Sequence, residues 1–142
     1  MAAMRRFMEG YKRAWETRDD VLLASLFTPD GVYHNTPFDA QRGHEAIRRY
    51  WDRVKLQEDV ALDFEVIADG GRDGVARWHV TYQVASEKMF AMWAASAGTG
   101  IPARNPGDPL PRLELDGVAL ADFDAAGLCT RYRVWWHSRI AA

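Results

Sequence analysis

The stretch Ala61–Ala85, "ALDFEVIADGGRDGVARWHVTYQVA", decides the fold. Leu62, Phe64 and Val66 alternate with Asp63, Glu65 and Ile67, a period of two that belongs to a strand and not to a helix. Ala68–Gly74 is a glycine-rich turn of hairpin type, and Val75–Ala85 is the return strand. On that strand Ala76, Trp78, Val80, Tyr82 and Val84 share one face, while Arg77, His79, Thr81 and Gln83 share the other. The first set is apolar and is predicted to face inward.

Downstream, Arg112–Asp122 and Leu128–Ile140 repeat the pattern as a second strand pair, joined around Asp124–Gly127. Leu115, Gly117, Ala119, Ala121 and Phe123 fall on the inner face of the first; Tyr132, Val134 and Trp136 alternate with Arg131, Arg133, Trp135 and His137 on the second. Small residues facing large rings leave a trough for a helix or a ligand. Upstream, Met4, Phe7, Met8, Tyr11, Ala14, Trp15 and Arg18 step at three and four, an amphipathic helix. Asp19 or Asp20 can cap a second, shorter helix through Val21–Phe27. Thr28–Gly31 reads as a turn, Val32–Asn35 as a short strand stopped near Pro37, and Gly43 as the end of a loop. A third helix is predicted from about His44 to Leu56, with Ile47, Tyr50, Trp51 and Val54 on one stripe. Helices first and a meander of long strands after them predict an α+β fold, a curved antiparallel sheet wrapped around N-terminal helices.

Ser86–Pro111 interrupts the meander. It is too long for a hairpin turn, opens with Met89, Phe90, Met92 and Trp93 at near-helical spacing, and then becomes rich in Gly and Pro. Two readings stand: a lid over a site, or a helix that packs or dimerises.

The totals narrow the function classes. A chain of 142 residues with 48% apolar and 27% charged residues is predicted to be one globular domain, 1–142, with that insertion. A net charge of -2 gives no general attraction to nucleic acid or to anionic membranes. The sequence has no apolar run of membrane-spanning length, and "MAAMRRFMEGYKR" lacks the apolar middle of a signal peptide. Cys129 stands alone, which excludes an internal disulfide and fits a cytoplasmic chain. Four scattered histidines offer no metal-ligand spacing, and neither "GTG" nor "DGG" has the lysine of a phosphate loop; no metal and no cofactor are expected. Six tryptophans, five tyrosines and six phenylalanines point to a very aromatic core or to a ring-lined cavity.

The opening through "LFTPDGVYHNTPFD" and "RGHEAIRRYW", with "LDGVALADFDAAGLCTRYRVWWH" near the end, resembles the nuclear transport factor 2-like superfamily. Within it the pattern is most similar to the SnoaL-like polyketide cyclases and steroid delta-isomerases. The resemblance implies a cone: a strongly curved sheet closed by helices, with an apolar pocket at one end. It is specific for fold and much less so for activity, because one fold carries many activities.

Aligned on "MEGYKRAW", Tyr11 falls where the isomerases carry the tyrosine that donates to a developing oxyanion. An amphipathic-helix tyrosine packing its ring accounts for the residue equally well. The isomerases' proton-shuttling aspartate corresponds to Asn35, or to Thr36 if the gap falls differently; asparagine cannot take up a proton near neutral pH, and their second acidic donor corresponds to Ala119. A conventional ketosteroid isomerase is thereby excluded. His34 is the next candidate base, though its parity points away from Tyr33 and Asn35 unless a bulge near Pro37 rotates it. Asp116, beside Gly117, would likewise need a bulge to turn inward. The pocket wall is expected from Trp15, Tyr33, Phe38, Trp51, Trp78, Tyr82, Tyr132 and Trp136.

These residues predict a pocket for an apolar, ring-containing small molecule, with cofactor-free isomerase, cyclase, dehydratase or lyase chemistry if it turns over. The alternative is a ligand-binding or assembly protein without turnover. The outer sheet face, with Arg77, His79, Arg131, Arg133, Trp135 and His137, is too aromatic to stay fully wet and predicts a homodimer.

Overall fold

The computed structural model describes residues 2–97, 101 and 104–141. Two helices, α1 (Ala3–Thr17) and α2 (Asp20–Ser25), precede the strands β1 (Phe27–Thr36) and β2 (Asp39–Arg42). Helix α3 (His44–Tyr50) runs into a 3-10 helix over Trp51–Leu56, and then β3 (Gln57–Asp69) and β4 (Asp73–Val84) form the long hairpin. Helix α4 (Glu87–Ala97) lies in the insertion, before β5 (Arg112–Phe123) and β6 (Cys129–Ile140). Among the described residues six strands form one open sheet in the order β2-β1-β6-β5-β4-β3.

The hairpin forms as its sequence predicts. Gly71 takes φ 84 at its tip, and the Gly70 N–H donates to the Asp73 carbonyl at 2.8 Å. Burial alternates along β4 and β5 with the expected parity, Trp78 and Tyr82 inward and Arg77 and His79 outward. Helix α1 buries Met4, Phe7, Met8, Tyr11, Ala14 and Trp15 against the concave face. A Cβ on Gly74 would stand 2.5 Å from the Met4 Cβ, so a glycine is what lets the helix lie this close to β4. Glu16 accepts from the Leu62 N–H at 2.9 Å and Lys12 donates to the Leu62 carbonyl, which ties α1 to the backbone of edge strand β3. Asp19 caps α2 by accepting from the Leu22 N–H at 2.9 Å.

Four expectations change. The sheet is mixed: β1 pairs with β6 in parallel, because the chain returns to β1 from the far side of the meander. Thr28–Gly31 lies inside β1 as an irregular stretch where the register with β6 shifts, and a Cβ on Gly31 would stand 3.0 Å from the Cys129 carbonyl oxygen. Asp39–Arg42 forms a short strand instead of a loop. The third helix tightens to 3-10 geometry at Trp51. No helix among the described residues is long and apolar enough to cross a membrane.

Candidate functional site

The concave face of the sheet, α1, the 3-10 helix and α4 enclose one ring-walled pocket. Its cavity of about 80 Å³ opens to solvent at one end. By the same measure a single water needs about 10–15 Å³, so the space holds several waters or a small ring system.

The floor is phenolic. Tyr11 from α1 and Tyr33 from β1 bring their hydroxyl oxygens to 3.4 Å, and the Tyr132 ring lies 5.2 Å from each of theirs. Tyr33 and Tyr132 are register neighbours across the parallel β1–β6 pair. Burial pushes all three phenols above the ordinary tyrosine value, and their mutual proximity raises Tyr11 further. They are neutral donors at any physiological pH.

The walls are indole. Trp51 and Trp78 lie 5.9 and 5.6 Å from Trp15, and all three rings pack around Tyr11, at 5.5 Å for Trp15, 6.1 Å for Trp51 and 6.4 Å for Trp78. Trp15 Nε1 donates to Gln57 Oε1 at 2.7 Å, which holds that ring in place and satisfies a buried amide. The Trp78 ring fills the trough over Gly117, where a Cβ would stand 2.5 Å from the indole. Its Nε1 is buried without a partner among the described residues.

The cap comes from the insertion. Met89 and Trp93 are buried, and Trp93 Nε1 donates to Ser138 Oγ at 2.7 Å, joining α4 to β6. At its other end Gln83 Nε2 donates to the Leu110 carbonyl at 2.9 Å. The segment therefore forms a packed helix that also covers the pocket. Gly98–Gly100, Pro102 and Ala103 of the predicted insertion lie outside the described residues.

Asn35 and Arg53 stand on the lining with Ser96. The pocket thus collects Tyr11, Trp15, Tyr33, Asn35, Trp51, Trp78, Tyr82 and Trp136 from among the candidates, with Tyr132 packed beneath Tyr11 and Tyr33. Three candidates fall elsewhere. Phe38 is 98% exposed at the β1–β2 turn, because the strand ends before it and nothing folds over the turn. His34 keeps its strand parity: the β1 register shift beyond it does not rotate it inward, and it shares a surface recess with Arg131, Arg133 and Trp135. Partial burial and the two arginines hold its imidazole below the ordinary value. Asp116 faces outward in a two-point pair with Arg77, at 2.7 and 3.2 Å, and the hydrogen bond from that guanidinium holds its carboxyl below the usual range.

Tyr50, Arg53, Val54 and Gln57 also line the pocket and were not among the candidates. In 3-10 geometry residues three apart eclipse, which sets Arg53 over Tyr50, a placement that the predicted ordinary helix does not single out. Among the described residues, the lining contains no carboxylate, imidazole or thiol. What the arrangement can do is bind an apolar ring and donate hydrogen bonds to its oxygen.

A family model described as a SnoaL-like domain matches residues 4–132, and the chain belongs to that family. The solved structures it resembles share the fold at low identity. One from Mycobacterium tuberculosis is 13% identical with a TM-score of 0.72, covering 99% of this chain and 98% of its own. The epoxide hydrolase/cyclase-like enzyme SalBIII of salinomycin pyran-ring formation is 16% identical with a TM-score of 0.68, covering 96% and 95%. A polyketide cyclase candidate from Pseudomonas putida is 17% identical with a TM-score of 0.68, covering 95% and 91%. No protein of curated function matches the sequence.

Proposed function

We propose that the chain binds a largely apolar, ring-containing small molecule in this pocket and polarises an oxygen of it through Tyr11, in a cofactor-independent isomerisation, cyclisation, dehydration or lyase reaction. The observation that carries this reading is the buried phenol pair, Tyr11 and Tyr33, at the floor of an apolar cavity. Donors fixed in a dry site stabilise charge that develops on oxygen far better than donors in water. Asn35, the one amide at the strand end, would position a water or the substrate and not act as the base. The ring-forming chemistry named for SalBIII is of this general kind.

A second reading, a binder without turnover, is favoured by the absence of an ionisable base on the described lining. The ionisation of bound 2-naphthol separates the two. A catalytic floor favours the naphtholate, so the bound probe ionises at lower pH than the free one, and Tyr11→Phe reverses that shift. A merely apolar site raises the ionisation pH by desolvation and leaves Tyr11→Phe without effect on it.

We also propose a homodimer through the outer sheet face, and a cytoplasmic location in keeping with the single buried thiol of Cys129. Val118 and Trp135 are register neighbours there, 37% and 44% exposed, an apolar spot within a charged face.

A further inference from the structure

We propose that the ligand of this pocket carries a carboxylate beside its ring system and that Arg53, at the rim, holds it. The inference rests on the reading of the pocket as a ring-binding site and adds the ligand's charge.

Arg53 is the only charged side chain on the described lining. Its guanidinium lies 4.2 Å from the Tyr50 ring centroid, and its Nε donates to the Tyr50 carbonyl at 3.2 Å. Those two contacts fix the plane of the group. Neither terminal nitrogen has a partner among the described residues. The neighbouring charges are engaged with each other: Lys55 pairs with Asp52 and with Asp20, both at 3.4 Å, and Asp20 also takes Arg48 at 2.9 Å. Arg77, Arg104 and Arg112 each meet a carboxylate, at 2.7, 2.5 and 3.1 Å. Arg53 keeps its two-donor fork free where an apolar cavity opens.

A planar fork matches a carboxylate in two-point geometry. A phosphate dianion would call for more charge than one guanidinium, and the described lining offers no second cation. On the described lining the guanidinium stands without a carboxylate beside it, and a lone cation facing an apolar cavity attracts an anion there.

Matched probes decide this: 2-naphthoate and 2-naphthylmethanol share the ring system and differ in charge. Their affinities for the intact chain are compared by quenching of tryptophan emission. The acid is expected to bind about tenfold or more tighter than the alcohol, the scale of a charge-assisted hydrogen-bonded pair. In Arg53→Gln that ratio should fall toward one, and in Arg53→Lys it should be partly kept. Arg53→Met, which retains an unbranched stem over Tyr50, repeats the comparison if the glutamine variant folds poorly. A wild-type ratio near one with the alcohol still bound overturns the carboxylate inference and leaves the ring-binding site standing. An acid preference that survives in Arg53→Gln and Arg53→Met overturns the role of Arg53. If neither probe binds, the ring-binding reading fails and this inference with it.

Discussion

The hydroxyl oxygens of Tyr11 in α1 and Tyr33 in β1 stand 3.4 Å apart with both rings buried. Their folded-state pKa values are raised, chiefly by burial. A raised phenol contributes stability that is complete below the unfolded value near 10 and is lost as pH climbs toward the folded value. The unfolding free energy should therefore fall above about pH 10, by about 1.4 kcal/mol per pH unit for each phenol that ionises only on unfolding. Tyr11→Phe should make that alkaline limb shallower in denaturant titrations. An unchanged limb would mean that Tyr11 reaches water.

His34 carries the opposite sign. Its folded pKa is depressed by partial burial and by Arg131 and Arg133, so the stability it contributes is present above the unfolded value near 6.5. That contribution is lost as pH falls below 6.5 toward the folded value, because the unfolded chain takes up the proton first. His34→Gln should flatten the acid side of the stability profile. It should leave the ionisation of bound 2-naphthol untouched, since the imidazole lies on the outer face; a shift in that ionisation would return His34 to the site.

Asn35→Asp tests the strand end. Asn35 is half-buried on the pocket lining, so burial should raise the introduced carboxyl, and the cost should appear above the unfolded value near 4 and level off above the folded one. The variant should unfold slightly more easily at neutral pH than at about pH 4, relative to the wild type. It should also gain weak proton-transfer activity on an apolar enone, with Tyr11 as the donor. Equal unfolding free energies across about pH 4 to 8 would place the side chain in water.

The cap is separable from the sheet. Gln83 and Arg112 are register neighbours at the two ends of the insertion, so a tight turn can join β4 to β5 directly. Replacing Ser86–Pro111 by such a turn should leave the fold intact by circular dichroism and weaken naphthyl binding about tenfold or more, through loss of Met89 and Trp93. Collapse of the fold instead would make the segment core.

Trp135→Glu should turn the proposed dimer into a monomer by light scattering without changing probe affinity. A wild-type chain that is monomeric at micromolar concentration would remove the dimer.

The legible part of this protein is what a two-residue period carries. The Trp78, Tyr82, Tyr132 and Trp136 parities follow from strand alternation alone, and they held because each inward side chain has apolar company on neighbouring strands. Where the backbone leaves regular geometry, pattern fails. Phe38 is as apolar as Phe27, yet a turn without cover leaves it in water. Arg53 sits in a short 3-10 segment that reads as ordinary helix, so its place over Tyr50 was not visible. The parallel β1–β6 pair joins segments about a hundred residues apart, which no local signal encodes.

That pairing has a consequence for how the protein is made. Tyr33 sits beside Tyr132, so the phenolic floor cannot exist until the ribosome has delivered β6. Until then β1 has β2 as its one sheet neighbour, and the rings of α1 wait on an unfinished wall. Contacts this distant in sequence form slowly, and the apolar surface they will cover stays open to stray association meanwhile. Premature termination before Cys129 should accordingly yield an aggregating chain and not a weakened binder.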